Sequence, residues 1–341
     1  MLLVWRNISL SILWNVEHLK KYFPVQRSFL EKLFTRKTEY VRAVDDVDFS
    51  IRSGEVFTLA GESGCGKTTT GMLLARLIEP TSGTMFFEGK DICSLRREEL
   101  RHLRRKVQII FQDPYASLNP RMKIGKTVGH PLEVHGLAKG LEKEKKVLEV
   151  LNEVGLTPPE KFVDLYPHQL SGGQRQRVAV ARSIILRPEF VVADEPVSMI
   201  DVSIRTTIID LMLDLRENLG LTYLFITHDL AIAKYISDRI AIMYLGKIVE
   251  LSEKTELFTN PLHPYTKALL SAIPIPNPER KRQTVELKGE VPSAIRISSG
   301  CRFHPRCFAA TAVCSQEEPK LAHFNGSDHF VACHYPGARQ E

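Results

Sequence analysis

Short runs of apolar and β-branched residues recur at 56–60, 107–111, 190–193, 221–226 and 240–243, with little polar alternation. A strand that is apolar on both faces needs helices above and below it, so these runs predict the strands of a mainly parallel sheet. Between them, 67–78, 145–154, 173–186 and 204–219 read as helices. In 145–154, Val147, Leu148, Leu151 and Val154 mark one face at helical spacing. Alternation of the two element types predicts an α/β fold. The interval 112–170 has no comparable strand run and is punctuated by proline, which predicts a helical insertion into the sheet domain. After Glu250 the character changes again: Pro274, Pro276, Pro278, Arg280, Lys281 and Arg282 predict an exposed linker. A small cysteine-bearing tail follows it.

Composition narrows the class. The 341 residues, 43% hydrophobic and 25% charged, suit a folded chain of about two domain units. No stretch approaches the roughly 18 consecutive apolar residues of a spanning helix, so the chain is expected not to cross a bilayer by itself. The net charge of +6 is too small and dispersed for a nucleic-acid footprint. Its densest basic run, Arg96, Arg97, Arg101, Arg104, Arg105 and Lys106, is interrupted by Glu98 and Glu99 and predicts a solvated helix face. The opening, residues 1–14, lacks a basic leader and a small-residue cleavage site. A cytosolic setting with reduced thiols is the expectation.

The chemistry concentrates at two places. Gly61, Glu62, Ser63, Gly64, Cys65, Gly66, Lys67 and Thr68 match G-x-x-x-x-G-K-[ST], directly after one predicted strand and at the start of a predicted helix, with Thr69 next in line. The glycines let the backbone curl until several N–H groups face one phosphate chain. Lys67 adds a positive charge at the outer phosphates, Thr68 a hydroxyl for Mg²⁺, and the helix its amino-terminal partial charge. Cys65 reads as a small loop residue. The second place is the strand 190–193, which ends in Asp194 and Glu195. At the carboxyl edge of a parallel sheet, Asp194 would reach Mg²⁺ and Glu195 would orient or deprotonate the attacking water.

A third motif, Leu170-Ser171-Gly172-Gly173-Gln174, joins these two, and the set resembles the ATPase subunits of ABC transporters. The resemblance implies a P-loop NTPase (RecA-like) core, an antiparallel β subdomain and a helical insertion, here at about 112–187 of a domain 13–260. Gln112 resembles the family's Q-loop residue, near Mg²⁺ and the attacking water. Asp201 resembles its D-loop, and His228, in Ile-Thr-His-Asp, its switch histidine. Ser171 and the adjacent glycines offer a hydroxyl and free amides at a helix start, an anion site without a lysine. In the family, two subunits pair head to tail, so each ATP lies between one chain's phosphate loop and the other's signature. Tyr40 is the candidate for stacking on adenine, with a plain strand aromatic as the alternative. One departure is visible: Val197 and Met199 stand where the family commonly has threonine and alanine.

The segment Asn260-Pro-Leu-His-Pro-Tyr-Thr-Lys-Ala-Leu-Leu-Ser-Ala-Ile-Pro274 resembles the carboxy-terminal extension of the dipeptide and oligopeptide importer subfamily, here 261–341. The sequences around Glu62 and Gln112 are similar to the same group. The resemblance implies ATP and Mg²⁺, a paralogous ATPase or a second copy as partner, and two transmembrane permeases. It further implies an extracytoplasmic solute-binding protein and a position on the cytoplasmic face of the membrane. Cargo stays open among peptides, oligosaccharides and nickel chelates, and a soluble non-transport ATPase is the rival. Cys301-x5-Cys307-x6-Cys314-x18-Cys333 lacks paired C-x2-C knuckles. Similarity to subfamily members that carry a [4Fe–4S] cluster predicts iron–sulfur here, with Zn²⁺, free thiols or disulfides as alternatives. His304, His323, His329 and His334 read as surface imidazoles or replacement ligands.

Overall fold

All five apolar runs become strands of one sheet. The structure, a computed structural model, describes residues 11–25, 39–273, 285, 287, 289–290 and 292–338. In chain order, β1 (Ile12–Pro24), β2 (Tyr40–Arg52), β3 (Val56–Ala60), β4 (Ser82–Phe87) and β5 (Lys90–Asp91) come first. β6 (Val107–Ile110), β7 (Phe190–Asp194), β8 (Thr222–Thr227), β9 (Arg239–Tyr244) and β10 (Lys247–Glu253) follow, then β11 (Ala322–His323) and β12 (Phe330–Val331). Among the described residues the strands form two sheets. A four-stranded one is ordered β2-β1-β4-β5 and an eight-stranded one β11-β12-β10-β9-β3-β8-β7-β6. β9, β3, β8, β7 and β6 run parallel, and β10 and β12 add antiparallel at the far edge.

β3, β7, β8 and β9 are buried along their whole length, as strands covered on both faces should be. On one face, the helix Lys67–Leu74 presses Gly71 so close that a Cβ there would meet Val192 at 2.8 Å and Ile226 at 2.9 Å. That helix stops before the expected 78. Arg76 adopts φ 49°, and its buried guanidinium bonds Ile92 O and Cys93 O instead. The same face supports the antiparallel sheet, whose Trp14 lies 4.9 Å from Phe87 and 5.2 Å from Phe190, ring to ring.

The expected insertion is helical, built from Ile124–Val134, Gly140–Glu153 and Gly172–Ile184 with shorter turns between them. Val147, Val150, Leu151 and Val154 are its buried stripe, the i, i+3, i+4, i+7 set; Leu148 is only half-buried. The basic run lies on Arg97–Lys106, a largely exposed helix.

The carboxy-terminal region closes onto the main sheet. β12 pairs with β10 through Glu250↔Val331 and Leu251↔Phe330. The fully buried Glu250 carboxylate accepts from Leu262 N–H at 2.7 Å and His263 N–H at 2.9 Å, and meets His329 Nε2 at 2.7 Å. His329 is therefore a buried partner and not a surface imidazole, unlike the exposed His323. His263 caps the helix Pro264–Ser271 by accepting the Tyr265 N–H on Nδ1. The expected linker residues Pro274, Pro276, Pro278, Arg280, Lys281 and Arg282, and residues 1–10, lie outside the described residues. Among the described residues no helix is long and apolar enough to cross a membrane.

Burial pushes His263 down from 6.5 to about 4, against the pull of Glu250. The unfolded chain binds that proton near pH 6.5, whereas the folded protein refuses it until about 4. The stabilising effect is complete above pH 6.5 and fades by about 3 kcal/mol as the pH falls to about 4. A His263→Asn variant, whose side-chain oxygen can still cap the helix, should show a shallower loss of melting temperature over that window. An unchanged pH slope would assign the loss to other groups.

Candidate nucleotide site

The phosphate loop leaves β3 at Ala60 and enters the helix Lys67–Leu74. Gly61 and Gly66 take φ 151° and 111°, and neither tolerates a side chain. A Cβ at Gly61 would stand 2.2 Å from Met243 O, and one at Gly66 2.0 Å from Ala43 O. The loop thus winds between the β9 end and β2. Lys67 is 4% exposed and donates to Gly61 O at 2.7 Å and Glu62 O at 2.9 Å, which arches the loop over its own ammonium group. Cys65 is buried and raised above the usual thiol range by that burial, with Lys67 opposing; it is a packed loop residue.

The Thr68 hydroxyl donates to Asp194 Oδ1 at 2.9 Å, so the two sequence motifs meet at one point. Burial raises the Asp194 carboxyl, the Thr68 hydrogen bond opposes this, and the neighbouring Glu195 charge adds to it. Glu195 sits just past the strand in a left-handed conformation, φ 44°, its N–H bonded to Ile226 O at 3.0 Å. Such backbone strain is tolerated only where the surroundings fix it. Its side chain is held from two sides: Gln112 Nε2 donates to Oε2 at 3.0 Å, and His228 Nδ1 stands 3.1 Å from Oε1. Gln112, Glu195 and His228 come from the ends of β6, β7 and β8 and converge over the loop. They share a cavity of about 590 Å³ with Gly61, Glu62, Ser63, Gly64, Gly66, Lys67, Thr68 and Thr69.

The remaining candidates lie elsewhere. Ser171 caps the helix Gly172–Ile184, accepting Gln174 N–H at 3.3 Å while Gln174 Oε1 accepts Ser171 N–H at 2.9 Å. Gly173 admits Ile204 so closely that a Cβ would meet it at 2.9 Å. None of Ser171, Gly172, Gly173 and Gln174 lines the phosphate cavity of the same chain. Asp201, exposed, precedes the helix Val202–Leu219. Val197 is buried and Met199 exposed. Tyr40 is exposed at the start of β2, and the adjacent Val41 lines the cavity.

The iron–sulfur expectation needs correction. Cys301, Cys307, Cys314 and Cys333 do border one cavity, but it measures about 10 Å³, room for at most one water. Among the described residues no group of three or more His, Cys, Asp or Glu side chains is set to hold a metal ion. Burial pushes Cys301 up to about 11 and Cys333 up to about 12. Spacing in sequence brought the thiols together without making them ligands. His304 Nδ1 and His334 Nε2 are engaged by backbone carbonyls, of Cys301 at 2.8 Å and Glu317 at 3.0 Å.

Sequence reasoning missed how the carboxy-terminal region reaches the loop. The Tyr265 hydroxyl accepts Glu62 N–H at 2.9 Å, and Arg306 forks onto the Glu62 carboxylate at 2.9 and 3.2 Å. Leu269 lines the phosphate cavity itself. No sequence signal joins them, because Glu62 and Arg306 lie 244 positions apart and nothing local pairs residues so distant in the chain.

Residues 44–198 match the ABC transporter family, and residues 249–314 match the oligopeptide/dipeptide transporter C-terminal region. The oligopeptide transport ATP-binding protein AppF of Bacillus subtilis is 48% identical over 323 residues, 94% of this chain and 96% of AppF. The dipeptide transport ATP-binding protein DppF of Haemophilus influenzae is 45% identical over 322 residues, 94% of this chain and 96% of DppF. Among solved structures, a dimeric post-hydrolysis state of the ATP-binding cassette MJ0796 with ADP and Pi superposes with a TM-score of 0.61 at 29% identity. It covers 71% of this chain and 98% of the cassette. The chain is an ATPase that belongs to the ATP-binding subunits of ABC transporters, in the branch defined by the oligopeptide/dipeptide C-terminal region.

Proposed function

We propose that this chain hydrolyses ATP at the loop of residues 61–68 to drive import of dipeptides or oligopeptides through separate permease subunits. The observation that carries the reading is the convergence of Gln112 and His228 on Glu195 beside the phosphate loop. Glu195 is the general base: it lies in the phosphate cavity and is aimed by two side chains, while the metal position falls to its neighbour. Thr68 and Asp194 fit Mg²⁺, because that ion keeps water and phosphate oxygens and asks only one or two ligands of the protein. Mg²⁺, when bound, offsets phosphate charge. Lys67 holds the outer phosphates, and the half-exposed His228 ring, set against Glu195, faces the cavity where a nucleotide would lie.

The exposed signature Ser171-Gly172-Gly173-Gln174 lies off its own phosphate cavity, which supports a site completed by a second ATPase chain, paralogous or identical. Turnover per chain should then rise with protein concentration and saturate as dimers fill. A specific rate flat across a thousandfold dilution series would overturn the shared site. The names of AppF and DppF support peptide as cargo, and a transport role through separate permeases would put the chain to work at the cytoplasmic face of the membrane. In proteoliposomes holding permeases, this chain, its partner ATPase and a solute-binding protein, peptides should raise ATP turnover. Stimulation by oligosaccharides or nickel chelates alone would reject peptide.

A further inference from the structure

Glu62 offers three handles, and all are taken. Its carbonyl accepts Lys67 Nζ at 2.9 Å, its N–H donates to the Tyr265 hydroxyl at 2.9 Å, and its carboxylate receives the Arg306 fork. Two of the three partners belong to the carboxy-terminal region. Both are rigidly placed: Tyr265 is fully buried and Arg306 nearly so, on an aromatic cluster in which Tyr265 lies 4.7 Å from Tyr244 and 5.3 Å from Phe303. A second arginine of the same segment acts on the other flank of the loop. Arg302 bonds Asp45 and Leu245 O, and the next residue, Gly246, donates its N–H to Cys65 O at 2.8 Å.

A bidentate arginine–carboxylate pair fixes orientation as well as distance. Here the carboxylate belongs to the residue whose carbonyl sets where the Lys67 ammonium rests. We propose that the carboxy-terminal region tunes the nucleotide site of its own chain, with Tyr265 and Arg306 as positioning residues that hold Glu62, and through it Lys67, in the phosphate-gripping arrangement. This rests on the reading that the loop of residues 61–68 binds ATP. Without Tyr265 and Arg306 the loop keeps its glycines and its lysine but loses the brace that selects one conformation. Affinity then falls by the fraction of time spent in competent form.

The test uses the full chain, with melting temperature, kcat and the ATP KM measured for Tyr265→Phe, Arg306→Ala, Arg306→Lys, Glu62→Ala and the Glu62→Ala/Arg306→Ala double variant. Tyr265→Phe removes one oxygen and keeps the ring packing. Tyr265→Phe should raise the ATP KM by roughly three- to tenfold, the worth of one hydrogen bond, with kcat within about twofold and melting little changed, and Arg306→Ala, which removes both arms of the fork, should raise it at least as much with a lower melting temperature. Arg306→Lys should recover part of the loss. The double variant should be no worse than Glu62→Ala alone, because both changes break one contact. Fully multiplicative effects would overturn the proposal, and so would wild-type KM values in Tyr265→Phe and Arg306→Ala. If Arg306→Ala fails to fold, Tyr265→Phe decides. Lys67→Ala is the control: wild-type KM in the brace variants with an inactive Lys67→Ala refutes only the brace, whereas a fully active Lys67→Ala removes Lys67 from the phosphate grip and with it the reading on which the brace rests.

Discussion

Glu195→Gln is expected to lower the maximal rate of ATP hydrolysis by roughly two to four powers of ten, the usual worth of a positioned general base, while ATP still binds. Glutamine has the shape of glutamate, so its amide can keep both neighbours: the oxygen accepts from Gln112 Nε2, and the NH₂ donates to the His228 ring in its other tautomer. The strained backbone at φ 44° is held by the Ile226 carbonyl and does not depend on the side-chain charge. What the variant loses is the ability to take a proton from water. Single-turnover hydrolysis and equilibrium binding of a fluorescent ATP analogue separate the two effects. A normal single-turnover rate would remove Glu195 from the role of base.

The same arrangement shows which parts of the protein the sequence could display. Val56–Ala60 and Phe190–Asp194 were readable because strands buried on both faces have no polar alternation to confuse the pattern. The motif loop was readable because its glycines answer a backbone need that no other residue meets. β1 was not. Register shifts at Val16/Leu19, Leu19/Lys20 and Lys21/Tyr22, with His18 at φ 50°, break the two-residue period that marks a half-buried strand. β11 and β12 are two residues each, too short for any period. The cysteine spacing suggested convergence and delivered it, but whether convergent thiols ionise depends on burial, which spacing does not encode. The Glu62–Arg306 pair spans 244 positions, so no local pattern in either segment could join the two before the fold did.

Lys67→Ala is expected to abolish measurable ATP turnover by removing binding, the opposite signature to that of Glu195→Gln. The ammonium group is nearly buried and sits under the loop, held by two carbonyls at 2.7 and 2.9 Å. Those carbonyls orient the charge toward the cavity without neutralising it, so its positive field is kept for an anionic ligand. Losing one partner of a buried, hydrogen-bonded charge pair costs about 2–5 kcal/mol, or roughly thirty- to several-thousandfold in ATP affinity. The substitution also frees the Gly61 and Glu62 carbonyls to face the phosphate chain, where they repel it. Equilibrium binding of the fluorescent analogue should therefore be lost at concentrations that saturate both the wild type and Glu195→Gln. Retained binding in Lys67→Ala would mean that the glycine amides and the helix amino terminus hold the phosphates alone. The lysine would then serve only to arch the loop.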